Sequence, residues 1–446
     1  MMRAIRHSVL GLLGLVLGLG AADLKTDVCV VGGGSGGIGA ALAAAREGAS
    51  VVLVEKLPVL GGTSAAGFVS LLSGPADPLA YEIYLELKKQ GQAGVTRRFG
   101  KVPYHCWSID PKLTYESTTM FRGNRLAFDP DAYSATVLAM LRKEGVRVLL
   151  DTTFTTAAAE GKRVQSIQAV AKDGTGYRIE AKVFIDATGD VYLCRAVGCE
   201  TVIGPGLNGV TLCYRVRKGG EESPEVLAAE PFKRSSCNHQ LPNGDRIINM
   251  LPTLDGSEFL ELGYEKALKK CRTRILRHWA FLRQGPGEWQ EYRFVEAAPM
   301  LGIREGYRIV GEYVLTGRDL QQGILEQSHS DMIALASHAV DVHGADRKKT
   351  KHLKVKPYGI PYRCLIPKGR ENLLVACRGA SFDRVAASSV RLSRTMVWLG
   401  HAAGVGAALA AKEDVPVGQV DTARIAQRTG MDAASVRKLL AAERPR

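Results

Sequence analysis

Gly32, Gly34 and Gly37 stand in the order G-x-G-x-x-G, and Glu55 follows 18 residues after the last of them. Glycines so spaced let a chain turn tightly, bring bare backbone against a pyrophosphate, and seat a helix close on a sheet. A carboxylate at the distance of Glu55 can take ribose hydroxyls, and it would repel a 2′-phosphate. Elsewhere, His401 is of a type that gives or takes a proton near neutral pH. Arg304 is suited to hold a substrate carboxylate or to stabilise developing negative charge, or else to pair with Glu305. Cysteine chemistry is less promising. Nine cysteines occur without any C-x-x-C, and the closest pair, Cys194 and Cys199, is spaced C-x4-C. That spacing argues against a thioredoxin-type pair and against clustered metal ligands, so no metal site is expected.

The elements around the glycines make the nucleotide reading specific. "DVCVV" is a buried strand in pattern, "IGAALAAAREG" a small-residue helix closed by Gly48, and "SVVLVE" a second buried strand ending on Glu55. Strand, glycine turn, helix, strand and acid together predict a Rossmann-like βαβ unit with a pyrophosphate at the helix N-terminus. Three later stretches bear on which dinucleotide it is: "LGGTSAAG" from Leu60, "EAKVFIDATGD" from Glu180, and the long segment from Glu371 to Lys412. The last reads as a strand, a glycine turn, a polar loop and a helix beginning near Gly400, whose small residues would offer a second helix N-terminus to electron-rich atoms.

Together these residues resemble the bacterial FAD-dependent oxidoreductases with the glutathione-reductase-type FAD-binding fold. The resemblance rests on Gly32, Gly34, Gly37 and Glu55, on Gly61 and Gly62, on the A-T-G-D turn Ala187, Thr188, Gly189 and Asp190, on "REGYRIVG" from Arg304, and on Asn372, Arg378, Ser389, Arg391 and Gly400–Gly404. It implies an α/β protein: a Rossmann-like FAD domain assembled from 24–75, 126–200 and 365–412, and a second, mixed α+β substrate domain over 201–364. Residues 76–125 would form an insertion or lid, and 413–446 a helical tail. The implied FAD contacts also include Lys56, Thr63, Phe154, Ala402 and Ala403. His401 stands where the family usually has Gln and would face the flavin. Arg304 and Arg391 would act beside it, and Arg378 would touch phosphate or ribityl. The implied activity is hydride transfer between a small organic substrate, anionic or sugar-like, and non-covalently bound FAD, with an unidentified electron acceptor. A fumarate-reductase-like reductase of activated double bonds and a non-catalytic flavin electron carrier stay open as alternatives.

Composition sets outer bounds. The 446 residues are 46% hydrophobic and 23% charged, as in ordinary globular proteins. Arg3, Arg6 and His7 precede the apolar run "SVLGLLGLVLGLGAA", with Gly20 and Ala22 placed as at a cleavage site. Residues 1–22 are therefore expected to be a signal peptide removed before Asp23, making the protein periplasmic or extracellular without a stable membrane span; an uncleaved anchor is the alternative. The formal net charge is +14, partly concentrated in "DRKKTKHLKVKP", residues 346–357. No zinc knuckle or RNA-binding aromatic signature accompanies it, so nucleic acid is not an expected partner. His239 reads as a surface residue, Tyr358 and Tyr362 as pocket or core, and Trp279 with Trp289 as packing or a sugar platform.

Overall fold

A computed structural model describes residues 22–72, 77–99, 104–114, 124–204, 208–221, 227–230, 235–285, 288–343 and 353–442. The expected leader lies outside these apart from Ala22, and so does most of the basic run 346–357. The apolar β-formers of Ala22–Val31 pair in parallel with Val51–Val54 on one side and Gly176–Asp186 on the other. Arg147–Leu149 extends the parallel sheet beyond Val51–Val54, and Leu373–Val375 joins the far side of Gly176–Asp186. The N-terminal half of that long strand instead carries an antiparallel meander with Arg163–Ala171 and Thr152–Glu160. Strands buried on both faces read as unbroken Val/Ile/Leu runs, which is why this sheet was visible in the sequence.

Two helices cover one face of this sheet and lie against each other: Ser35–Arg46, which follows the glycine turn, and Ser393–Glu413, near the C-terminus. Their contact is made of backbone. A Cβ on Gly400 would fall inside the Gly36 carbonyl, and one on Gly404 inside the Ala40 carbonyl. The small residues Gly400, Ala402, Ala403 and Gly404 therefore sit in the middle of a helix, all buried, and not at its start. The sequence expectation of a helix beginning near Gly400 is corrected to Ser393: a run of small residues signals close packing as readily as an N-terminus.

A second sheet of eight strands runs Tyr292–Ala297, Cys213–Lys218, Arg246–Leu251, Ser235–Gln240, Tyr104–Ile109, Ala93–Phe99, Arg125–Phe128, Leu71–Leu72. It has its own core against the helix Gly256–Gln284, where Trp279, Ile275 and Cys271 meet Tyr214 and Phe294. Trp279 and Trp289 meet edge to face at 6.2 Å within this packing. The division expected from sequence shifts accordingly. Within the expected insertion, Ala93–Phe99 and Tyr104–Ile109 are central strands of the second sheet, while Pro78–Lys89 packs into the first core. Tyr358–Pro361, placed by sequence in the substrate domain, pairs with Met332–Ala336 beneath the first core, and Tyr358 and Tyr362 are buried there. These pairings join residues far apart in the chain, so periodicity alone does not assign them to a sheet. The C-terminal segment carries the helices Thr422–Thr429 and Ala433–Ala442.

Two predictions arise here. Helix propensity favours alanine over glycine by about 1 kcal/mol, but at Gly400 the added methyl meets rigid backbone. Gly400→Ala is expected to lose about 3 kcal/mol or more, read as a fall in the denaturation midpoint; an unchanged midpoint would contradict the helix contact. The second concerns His278, buried with Nδ1 2.9 Å from the Tyr214 hydroxyl. Burial pushes its pKa down to about 4, so the folded state keeps it neutral while the unfolded chain protonates near ~6.5. Stability is thus lost as pH falls from about 6.5 towards 4, at up to about 1.4 kcal/mol per pH unit from this group. His278→Gln should flatten that slope in denaturation curves at pH 7, 6 and 5.

Candidate functional site

Between the two sheets lies a cavity of about 1020 Å³, walled by both. That is at the upper end of the roughly 300–1,000 Å³ typical of small-molecule and cofactor sites. One end is the glycine turn. Gly32 has φ +104°, and a Cβ there would stand 2.5 Å from the Ala187 carbonyl oxygen, so only glycine lets the first strand meet the A-T-G-D turn. Gly37 packs on the Gly32 carbonyl, and Gly61 donates its N–H to Gly33 O at 2.8 Å. Gly34 differs from them: a Cβ there would meet nothing within 4 Å, because that position faces the cavity. It caps the helix Ser35–Arg46 without any side-chain hydrogen bond, leaving the first N–H groups to a ligand.

Glu55 lines the cavity while accepting from Gly33 N at 2.5 Å and Leu57 N at 2.9 Å. Burial raises its pKa despite those two donors. The carboxylate thus clamps the glycine turn, and each oxygen retains a second lone pair for a hydroxyl. Lys56, Gly62, Thr63 and Phe154 line the same end, as do Ala187, Thr188, Gly189 and Asp190. Asp186, fully buried, shapes that last turn by accepting from Thr188 N and Oγ1 and from Cys194 N. Asp190 pairs with Arg378 at 2.9 Å, and Arg378 keeps a buried Nη1 without a partner. Farther along, Arg391, Leu392, Ser393 and Met396 line the cavity. The second helix begins there, also without a side-chain cap. Ser393 Oγ lies 3.1 Å from Ser64 Oγ, which is 3.3 Å from Ser35 Oγ, so both helix starts meet at one wall.

His401, two turns into its helix, does not line the cavity. Its Nδ1 is 3.1 Å from buried Asp77, the N-cap of Pro78–Lys89. Its place beside the flavin is corrected to a tie between two helices. Gly400 serves the helix contact, Ala402 and Ala403 are buried in the same helix, and none of the three lines the cavity, while Gly37 and Gly61 support it from behind.

Beyond the second helix start the cavity widens over the second sheet. Register places Cys213 beside Asn249 and Asn249 beside Cys237, and in the next row His239 beside Trp107 and Trp107 beside Arg98. All six line the cavity. Asn249 Oδ1 is buried without a partner. The Arg125 guanidinium lies 4.6 Å from the Trp107 ring centroid, a cation–π contact. His239, read from sequence as a surface residue, is buried against Ser70 Oγ at 2.7 Å, and burial with the Arg125 charge pushes it down to about 3. It fills an alternating strand position whose inward face the sequence did not reveal.

Opposite this floor stand Arg304, Arg391, Asp341 and His343. Arg304 Nη1 donates to Gly209 O at 2.9 Å and to Thr211 Oγ1 at 2.6 Å. Burial, then the neighbouring Arg391, push Arg304 down to about 10, so it remains cationic at neutral pH. Arg391 Nη2 donates to Asp341 Oδ2 at 2.9 Å, and its Nε is buried without a partner. Asp341 Oδ1 lies 2.9 Å from His343 Nε2. Burial alone would raise Asp341, but the His343 hydrogen bond and the Arg391 charge hold it well below the usual carboxylate range. Asp341 and His343 escaped the sequence reading. The only local signal was their D-x-H spacing beside a second histidine, His338.

The cradle fits an FAD molecule on three observations: a bare glycine facing the cavity, two uncapped helix starts, and orphaned guanidinium nitrogens at its wall. The sequence profile of the FAD dependent oxidoreductase family matches residues 27–223 and 212–429. A protein described as NADH:fumarate oxidoreductase, from Klebsiella pneumoniae (strain 342), is 28% identical over 193 residues. That match covers 38% of this chain and 21% of the relative, so the chain spans about a fifth of the relative's length. Among solved structures, a geranylgeranyl bacteriochlorophyll reductase-like protein from Thermoplasma acidophilum superposes with TM-score 0.51 at 13% identity, over 95% of this chain and 88% of that one. A flavoprotein/dehydrogenase from Cytophaga hutchinsonii gives 0.47 at 15%, over 93% and 86%. The chain belongs to the FAD-dependent oxidoreductase family, and FAD is its cofactor.

Gly34 supplies the test. At φ −73° it can carry a side chain without backbone strain, so valine would fill cavity and little else. Gly34→Val is expected to purify folded by circular dichroism yet without flavin absorbance; flavin retained at the level of the unaltered protein would contradict this placement.

Proposed function

We propose that this member of the FAD-dependent oxidoreductases transfers a hydride between FAD and a small anionic organic substrate held over the second sheet. The observation that carries the reading is the charge of that compartment. Arg98, Arg125, Arg304 and Arg391 line it, while Asp341, already paired with Arg391, is the carboxylate on the same wall. When bound, FAD supplies the two-electron donor or acceptor. The protein's own groups do the rest. Arg304, fixed through one nitrogen, can present its remaining N–H groups to a carboxylate, and Arg391 Nε offers a further donor. Asp341, ionised and accepting from Nε2–H, sets a neutral His343 with its lone pair on Nδ1, able to take a proton from a substrate hydroxyl or amine. The Cys213–Asn249–Cys237 row forms an uncharged floor against which a carbon skeleton can lie, beside the Trp107 ring that carries the Arg125 guanidinium.

A second reading, reduction of an activated double bond, is supported by the likeness to a protein described as an NADH:fumarate oxidoreductase. In that direction the same arginines would hold the carboxylate that activates the bond. Export to the periplasm or beyond, drawn from the leader-like N-terminus, is part of the proposal.

A panel of hydroxy and amino acids, organic phosphates and neutral sugars, offered anaerobically to the holoprotein, tests the reading through bleaching near ~450 nm, the band expected of oxidised flavin. Bleaching by acids is expected, and bleaching by neutral sugars alone would overturn it. Reoxidation of the reduced protein by enoates would select the second reading. Arg304→Met should lower kcat/KM for the responding acid by about 10- to 100-fold, the worth of one charged hydrogen-bonded contact, with flavin content unchanged.

A further inference from the structure

The C-x4-C pair that the flavin site leaves unused comes together in the fold. Directly after the A-T-G-D turn, the short helix Tyr192–Ala196 ends at Val197, and Gly198 follows with φ +75°. Cys199 N donates to Cys194 O at 2.9 Å and Gly198 N to Arg195 O at 3.2 Å. These two crossed bonds define a Schellman closure, in which the side chains at the positions of Cys194 and Cys199 characteristically touch. Covalent geometry across the 2.9 Å bond keeps their Cα atoms within about 6.8 Å, inside the roughly 4.4–6.8 Å range that a disulfide spans. All nine thiols are free in this structure.

The two sulfurs differ in the way a nucleophile differs from a resolving thiol. Cys194 is wholly buried, and burial holds its thiol well above the ordinary value. Cys199 is only partly buried. A hydrogen bond from Cys194 lowers it most, and against the opposing effect of burial the Arg370 guanidinium lowers it further. Arg370 is itself fixed by the carbonyls of Val197 and Gly161.

We propose that Cys199 and Cys194 form a redox-active dithiol, separate from the flavin cavity, that exchanges with small disulfides. Cys199 thiolate attacks one sulfur of the incoming disulfide. That S–S bond breaks, one half leaves as a thiolate and takes up a proton, and a mixed disulfide remains on Cys199. Cys194 then loses its proton and attacks Cys199 Sγ, releasing the second half as a thiol. The protein dithiol is oxidised by two electrons, and the incoming disulfide is reduced to two thiols. Cys194 N is hydrogen-bonded to Asp186, so the exchange takes place on the element that shapes the A-T-G-D wall.

Glutathione disulfide added to the full-length holoprotein, followed by peptide mapping in a mass spectrometer, tests this. The expected product is a Cys194–Cys199 disulfide. Cys194→Ser should retain glutathione on Cys199, and Cys199→Ser should yield neither product. In the unaltered protein Cys199 should alkylate with a midpoint below the roughly 8.5 of a free thiol, and Arg370→Gln should move that midpoint up. Retained flavin absorbance confirms that each variant is folded, and the alkylation profile needs no variant at all. Glutathione on Cys106 or Cys237 instead, a Cys194–Cys377 disulfide, or a Cys199 that alkylates no faster than Cys106, would overturn the proposal.

Discussion

The glycine-to-carbonyl contact between Ser35–Arg46 and Ser393–Glu413 holds the whole site in place. Backbone-to-backbone packing leaves no side chains to yield, so the two helix starts are fixed relative to each other within the tolerance of van der Waals contact. That contact brings the glycine turn, near one end of the chain, against the segment from Arg391, near the other. Two sets of uncapped N–H groups then border one cavity, a polar arrangement of cost unless a ligand or water satisfies it. FAD would lie along this border, with the second compartment beyond it.

The second sheet contributes chemistry where the first contributes rigidity. Its strands deliver two rows of side chains to the cavity floor, one of thiols and an amide, one of histidine, tryptophan and arginine. The opposing wall concentrates positive charge around a single ionised carboxylate. Arg304 stays charged despite burial because even a lowered guanidinium titrates far above neutrality, and Asp341 stays charged because His343 and Arg391 outweigh its desolvation. A substrate entering there would replace lost water with fixed donors, the usual logic of a closed redox site.

His401 and the pair Cys194–Cys199 both take their surroundings from where a helix begins or ends. His401 looked chemical because of its neighbours in sequence, yet in the fold it only joins two helices. The two cysteines lack the familiar C-x-x-C spacing, and a Schellman closure brings their positions together. In both cases the deciding quantity is where a helix begins or ends, the least legible feature of a one-dimensional pattern.

The glycine turn, Glu55, the A-T-G-D turn and the parallel strands were legible in the sequence because each is a local requirement: tight turns, bare backbone and doubly buried strands restrict residue type position by position. The family and its cofactor were therefore readable from those stretches. Tertiary structure alone decided that Gly400 and Gly404 pack on a neighbouring helix, that Ala93–Phe99 and Tyr104–Ile109 belong to the second sheet, and that Asp341, His343, His239 and Trp107 surround one compartment. The reason is physical: strand pairing and helix contacts between distant segments depend on the geometry of both partners, and neither partner's composition encodes the other.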